Sequence, residues 1–263
     1  MKVHFLDCGT FRPHGPDRVL GPLARVPSVC LLVEDSGRLT LVDAGLGTRD
    51  MLDPRRLGLI NLELNAITDV EQAAARQIER MGLDPAGVTD IICTHLDSDH
   101  AGGLSDFPDA NVHVLEAERD AAVGEHLFRR PSYRACHLTH GPRWVTYHQT
   151  SGEDWFGLAC IRELTGLGDR FVLVPLPGHT RGHCGVAIAT DEGWLLHCGD
   201  AFYASQELDR APIAVRFFAH MAHQDRARAR AQLPRIKMAL AAGGDVRFLA
   251  SHDQQAFEQL SGG

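Results

Sequence analysis

The sequence predicts an α/β protein made of two similar halves, with sheets packed together and helices outside. Two observations predict it. Short strands rich in Val and Leu alternate with helices, in the order strands, helix, strand, helix, strand, then strands, helix, strand, helix. Several of these strands end in histidine and aspartate, which are poor core residues and good metal ligands. The 263 residues, 44% of them apolar, suit a single domain over 1–263 that buries most of its apolar surface. No internal repeat of about 20–50 residues is visible.

Val3–Leu6, Ser28–Val33 and Leu39–Val42 read as strands bounded by Gly, Pro or Asp. Asp43-Ala44-Gly45-Leu46-Gly47 breaks the pattern as a loop. Thr68-Asp69-Val70-Glu71 has the form of a capping box. It precedes a helix with Val70, Ala74, Ile78 and Met81 on one face and Gly82 at its end. Val88–Cys93 and Asn111–Leu115 are the next strands, the latter followed by a helix from Glu116. Residues from about 124 to 168 are irregular and rich in Gly, His, Arg and aromatics, among them His126, Tyr133, His137, Trp144 and Trp155. They read as an insertion covering the active-site face, or as a pair of irregular surface helices. Strands Phe171–Pro175, Cys184–Ala189 and Trp194–Cys198 follow. A helix near Gln224–Ala242 carries Arg226, Arg228, Arg230, Arg235 and Lys237, a charge run read as a solvated face. Strand Val246–Ala250 and a terminal helix close the chain.

The formal net charge of −8 disfavours nucleic acid as a partner. Seven cysteines, an odd number with no C-x-x-C pair, argue against a disulfide framework or zinc knuckle and for a reducing, cytoplasmic setting. The N-terminus lacks the apolar stretch of a signal peptide, and no window reaches the ~20 apolar residues of a membrane span. The expected partner is a small-molecule substrate; oligomeric state is left open, a homodimer included.

Chemistry concentrates at four strand ends. Thr94-His95-Leu96-Asp97-Ser98-Asp99-His100-Ala101-Gly102-Gly103 places two histidines and two aspartates within six positions. Pro177-Gly178-His179-Thr180-Arg181-Gly182-His183, His197-Cys198-Gly199-Asp200 and Ser251-His252-Asp253 share its character. His95 and Asp97, two apart on an extended loop, can point to one side, while the adjacent Asp99 and His100 can turn elsewhere. One such segment is weak evidence; four in this order are not.

In these motifs the chain resembles the metallo-β-lactamase-fold hydrolases, whose signature runs Asp, H-x-H-x-D-H, His, Asp, His. Ser98-Asp99-His100-Ala101-Gly102-Gly103, Gly199-Asp200-Ala201-Phe202-Tyr203 and His252-Asp253 resemble the N-acyl-homoserine lactonase group. The resemblance implies a four-layer αββα sandwich of two mixed sheets and a site for two divalent ions. His95, Asp97 and His179 would hold the first ion and Asp99, His100 and His252 the second, with Asp200 bridging. His183 and Asp43 would brace loops. The implied reaction is attack of a metal-bridging hydroxide on a carbonyl, with Asp99 relaying the proton. Tyr203 is either a hydrogen-bond donor to the oxyanion or a rim aromatic.

The departure from the family is Asp97, where histidine is usual. Zinc is the metal the resemblance implies, while a carboxylate is a harder ligand that shifts preference towards iron or manganese and keeps both open. The carboxylate also lowers the charge of the centre. Two divalent ions would be neutralised by three aspartates and one hydroxide, which weakens the Lewis acid and raises the pKa of bound water. Alternatively Asp97 does not reach the metal and the first position is weak or empty. The implied function is hydrolysis of a small ester or lactone. Thioester, β-lactam and phosphotriester hydrolysis remain open, since fold alone does not choose among them. The flavo-diiron oxygen reductases of the superfamily carry glutamate at this position, which keeps a di-iron redox protein as the alternative, although no flavin domain is expected here.

Overall fold

Strands covered on both faces must be apolar along their whole length, and several segments of this chain satisfy that requirement. In a computed structural model, which describes residues 1–124, 130–148 and 153–262, they form two mixed sheets packed face to face. The first sheet holds β1 (Lys2–Asp7), β2 (Val29–Asp35), β3 (Arg38–Val42), β4 (Val88–Ile92), β5 (Asn111–Leu115) and β6 (Arg143–Tyr147) in that spatial order. β7 (Asp154–Trp155) and β8 (Leu158–Ala159) form a small hairpin. The second sheet holds β9 (Phe171–Pro175), β10 (Cys184–Thr190), β11 (Gly193–His197) and β12 (Arg247–Leu249), ordered β12-β11-β10-β9.

The two-residue period of a strand sorts side chains between layers. Val29, Leu31 and Val33 of β2 meet Leu173, Val186 and Ile188 of the second sheet. Cys30 and Leu32 point the other way, to Ala74 and Ile78 of one helix and Ala121 of another. Val172 and Val174 of β9 pack on Ile236 and Ala239 of the helix Arg226–Ala242. Helices therefore cover both outer faces, giving the four-layer αββα sandwich. The arginines of that last helix and Lys237 are all exposed. No helix among the described residues is long and apolar enough to cross a membrane. All seven cysteines are unpaired.

One expectation needs correction, and two features lie outside what the sequence pattern shows. The capping box at Thr68 does not form. Asp69 instead accepts from Glu71 N, a short 3-10 turn spans Val70–Gln72, and the α-helix starts only at Ala74. The helix Ile213–Ala222 has no counterpart in the sequence reading, because it lacks a polar cap and exposes apolar residues such as Phe217 and Met221. The described residues of the segment 124–168 are distributed through the fold. They supply β6 to the first sheet, and Trp155 and Leu158 to the core behind the second. Arg130 and Ser132 alone of them line the active-site cleft. His126 and the rest of 125–129 and 149–152 lie outside the described residues.

β6 is tied in by a buried polar chain. Tyr147 Oη accepts from Thr165 N at 2.9 Å and donates to His113 Nδ1 at 2.7 Å, and His113 Nε2 donates to Asp90 Oδ1 at 2.9 Å. Burial alone would raise the Asp90 carboxyl. Hydrogen bonds from Thr89, His113, Asn111 and Arg38 outweigh it and hold the pKa at about 2. The folded-state value thus lies below the unfolded one, so the stabilisation is present at neutral pH and is lost as the pH falls below about 4. Asp90→Asn is expected to cost about 2 kcal/mol at neutral pH. Urea unfolding at a series of pH values should show that cost shrinking with acidification; a cost independent of pH would contradict the assignment.

Candidate metal centre

The strands deliver their C-terminal residues to one edge. β3 and β4 run parallel, β11 and β12 run parallel, and antiparallel β10 begins where β9 and β11 end. The two sheets join at this edge, where Cys184 N donates to Thr94 O at 3.0 Å and Val29 N to Ser251 O at 2.9 Å. The loops after β4, β9, β11 and β12 carry His95 to His100, His179, Asp200 and His252. Asp97 has extended backbone at the N-terminus of the short helix Ser98–Ala101, which turns Asp99 and His100 inward.

All seven expected ligands come together, and all but Asp99 are buried. They fall into three overlapping groups: His95, Asp97 and His179; His95, His100 and Asp200; and Asp99, His100 and His252. Asp200 Oδ2 lies 3.1 Å from His252 Nε2 and 3.5 Å from His179 Nε2, and its Oδ1 lies 3.3 Å from His100 Nε2. Asp200 is thus central to the cluster. Burial would raise its pKa, but the facing His252, His100 and His179 hold it well below the carboxylate range. Burial likewise opposes charge on His252, yet Asp200 and Asp99 raise it to about 8.

Each ring is oriented from behind. His100 Nδ1 donates to Asp43 Oδ2 at 2.9 Å, and His95 Nδ1 to Thr94 Oγ1 at 3.0 Å. Thr94 Oγ1 itself donates to Asp43 Oδ2 at 2.8 Å, so Asp43 braces two ligands and touches none of the shared centre. His252 Nδ1 donates to Pro27 O at 2.7 Å. His183 accepts from Asp200 N at 2.8 Å and donates to Leu176 O at 2.9 Å, the loop-bracing role expected of it. With Nδ1 spent outward, His95 and His100 keep the lone pair of Nε2 for the centre.

The donor set meets the requirement for a cation. His95 Nε2, His100 Nε2 and Asp200 Oδ1 are buried and make no hydrogen bond among the described residues, although they share one group. Unpaired buried polar atoms cost about 1–3 kcal/mol each, and a divalent ion satisfies all three at once. The His95, Asp97 and His179 group differs. Arg130 donates from Nε to Asp97 Oδ1 at 2.7 Å, from Nη2 to Asp97 Oδ2, and from Nη2 to His179 Nε2 at 2.9 Å. A guanidinium only donates, so His179 Nε2 accepts, and Nδ1 donates to Tyr203 Oη at 3.0 Å. Burial works against charge on Asp97, but the Arg130 cation beside it holds its pKa well below normal. His179 is pushed down to about 3 by burial and by Arg130.

A cleft of about 360 Å³ opens onto the cluster. Asp97, Asp99, His179, Asp200 and His252 form its floor, and Leu64, Phe217, Phe218 and Met221 an apolar wall. Asp99, with 15% of its side chain exposed against 5% for Asp200, is the more open of the two carboxylates beside His252.

Two residues in this architecture escaped the sequence reading. Arg130 belongs to no motif, and its only signal was the unusual charge of Asp97, which requires a partner. Glu118 looked like one more acidic residue at a helix start. It is fully buried and accepts from Leu96 N at 3.0 Å, Tyr133 Oη at 2.8 Å, Thr180 Oγ1 at 2.7 Å and Gly182 N at 3.0 Å. It therefore fixes the loop of His95 and Asp97 to the loop of His179. Two glycines beside these residues are crowded by backbone, Gly103 by the loop of Ala44 and Gly178 by the helix Arg226–Ala242. A Cβ on Gly103 would lie 2.3 Å from Ala44 O, and one on Gly178, at φ +144°, 2.3 Å from Ala229 N.

Glu118→Ala strands four buried donors and should lower stability by about 3 kcal/mol or more. Glu118→Gln, which keeps the shape and part of the acceptor capacity, should lose less and bind metal more weakly. Urea unfolding of metal-free protein and a metal titration check both; an unchanged unfolding midpoint for Glu118→Ala would refute the clamp.

Comparison with known proteins agrees with this geometry. Residues 23–237 match the family described as the metallo-beta-lactamase superfamily. The chain is 39% identical over 263 residues to a probable metallo-hydrolase of Mycobacterium tuberculosis (strain ATCC 25618 / H37Rv), covering 98% of this chain and 82% of that one. It is 29% identical over 202 residues to the N-acyl homoserine lactonase AiiA of Bacillus thuringiensis subsp. kurstaki, covering 74% and 72%. An N-acyl homoserine lactone hydrolase, solved with the product N-hexanoyl-L-homoserine at its catalytic metal centre, shares the fold. Its TM-score is 0.73 at 22% identity, over 98% of this chain and 95% of that one. A two-sheet sandwich whose strand ends converge on buried histidines and aspartates, matched over most of its length, makes this chain a member of the metallo-beta-lactamase superfamily.

Proposed function

We propose that the protein is a metal-dependent hydrolase of a small ester or lactone bearing an apolar substituent. The observation that carries this is the cleft, in which an apolar wall of Leu64, Phe217, Phe218 and Met221 stands beside a floor of convergent metal ligands. The similarity to N-acyl homoserine lactonases supports it and makes acyl lactones one candidate substrate.

A divalent ion would be held by residues of two groups that share His100: His95, His100 and Asp200, and Asp99, His100 and His252. When bound, it supplies a Lewis acid for the substrate carbonyl and lowers the pKa of water. The residues of the chain do the rest. Leu64 and the aromatic pair Phe217 and Phe218 receive the substituent and exclude water on that side. Asp99, at the open side of the cluster, takes a proton and returns it to the leaving oxygen. Tyr203 Oη accepts from His179 Nδ1, so its own hydrogen is free to reach a developing oxyanion.

Protein reconstituted with zinc, manganese or iron should hydrolyse members of a panel of lactones, esters and thioesters, and prefer those with longer apolar chains. A chelator should abolish turnover. Asp200→Asn should lose metal and activity together, whereas Asp99→Asn should cut kcat by about 100-fold or more with KM little changed. Absence of turnover across the panel in every reconstituted form would overturn the proposal.

A further inference from the structure

We propose that the Asp97–Arg130 pair stands in place of the first metal ion, so that this centre holds one divalent cation where its resemblance implied two. The argument rests on lone pairs. An imidazole has one acceptor nitrogen once the other carries hydrogen. His179 Nε2 receives Nη2 of Arg130 at 2.9 Å, so that lone pair does not ligate a metal. The other tautomer is no better. A hydrogen on Nε2 would donate to Asp97 Oδ2, 3.1 Å away, and would also leave nothing for a metal.

Asp97 is engaged at both oxygens by the same guanidinium, in the fork geometry that suits a carboxylate. Arg130 is itself seated: its side chain is 11% exposed, its Nη1 reaches Ala222 O at 3.5 Å, and it lies 5.7 Å from the centroid of the Tyr133 ring. Tyr133 in turn donates to Glu118, the carboxylate that clamps the ligand loops. Of the group His95, Asp97 and His179, only His95 Nε2 remains unpartnered. It converges with His100 Nε2 and Asp200 Oδ1, which are equally unpartnered, so the three free donors belong to one ion.

The substitution is chemically coherent. A histidine at position 97 would be neutral and would need a metal to face. An aspartate there carries a charge that a guanidinium matches one for one. Arg130 also lines the cleft, so it retains a positive charge near the substrate while giving up the coordination of an ion.

Metal content decides the matter independently of turnover. Protein saturated with zinc or manganese and then desalted should retain one equivalent. The manganese form should give the six-line electron paramagnetic resonance spectrum of an isolated ion, without exchange coupling to a second. Arg130→Met should retain a second equivalent. So should the double variant Asp97→His with Arg130→Met, which leaves no unpaired buried charge and folds more securely. Two tightly held equivalents in the wild type would overturn the inference, and so would a single equivalent in both variants. The inference shares with the proposed function only the premise that the site binds metal. One equivalent without hydrolysis would defeat the function and spare the inference; two equivalents with hydrolysis would do the reverse.

Discussion

Three carboxylates crowded beneath the surface at one edge of the sandwich form the constraint on which the site depends. Asp97 and Asp200 are nearly sealed from solvent and Asp99 only partly open. Such a cluster is tolerable only with positive charge among its members. The chain meets that demand in two ways. Arg130 neutralises Asp97, while Asp200 and Asp99 face His100 and His252, and the unpartnered Nε2 atoms of His95 and His100 call for a cation. The surrounding architecture serves this balance. Asp43, Thr94 and the carbonyls of Pro27 and Leu176 hold the imidazoles in one tautomer, and Glu118 keeps the loops that carry them in register.

The parts legible from sequence were those whose local pattern and global role agree. β5 and β9 were read with their exact bounds because each is a short apolar run between turn residues. The seven residues that the fold gathers into this cluster were legible because strand-end histidine and aspartate in that number have few competing structural uses. β6 was not, because Arg143–Tyr147 sits in a stretch rich in His, Arg and aromatics and draws its place in the sheet from a distant partner, the Tyr147–His113–Asp90 chain. Glu118 and Arg130 were hidden for a related reason. Each is an ordinary residue locally, and each acquires its role from side chains brought to it by the fold: Asp97 and His179 for Arg130, Leu96 and Thr180 for Glu118.

Asp97 illustrates how far one residue can be read without its neighbours. As a lone carboxylate in place of histidine it reads as a harder ligand, pointing to iron or manganese. Paired with Arg130 it is no longer a free ligand, and the reasoning about metal hardness loses its subject. Membership of the superfamily is unaffected, because the fold rests on the β-sandwich and on the packing of Leu31, Leu173 and Val186 between its sheets. Family resemblance and metal stoichiometry are thus separable properties of this chain.

The charge balance bears on the chemistry. With Asp97 and Arg130 cancelling, one divalent ion is neutralised by Asp99 and Asp200 alone, and the remaining ligands are neutral imidazoles. Such a centre is a weaker Lewis acid than a pair of ions bridged by one carboxylate, and it acidifies water less. On the proposed function, such a centre would suit substrates whose carbonyl is already reactive, such as strained lactones or activated esters, over amides. The guanidinium compensates in part. Fixed beside His179 at the cleft floor, it offers preorganised positive charge without reorganisation during the reaction, the condition under which electrostatic stabilisation of an oxyanion is most effective. The residue that displaces one ion would then take over part of that ion's electrostatic work.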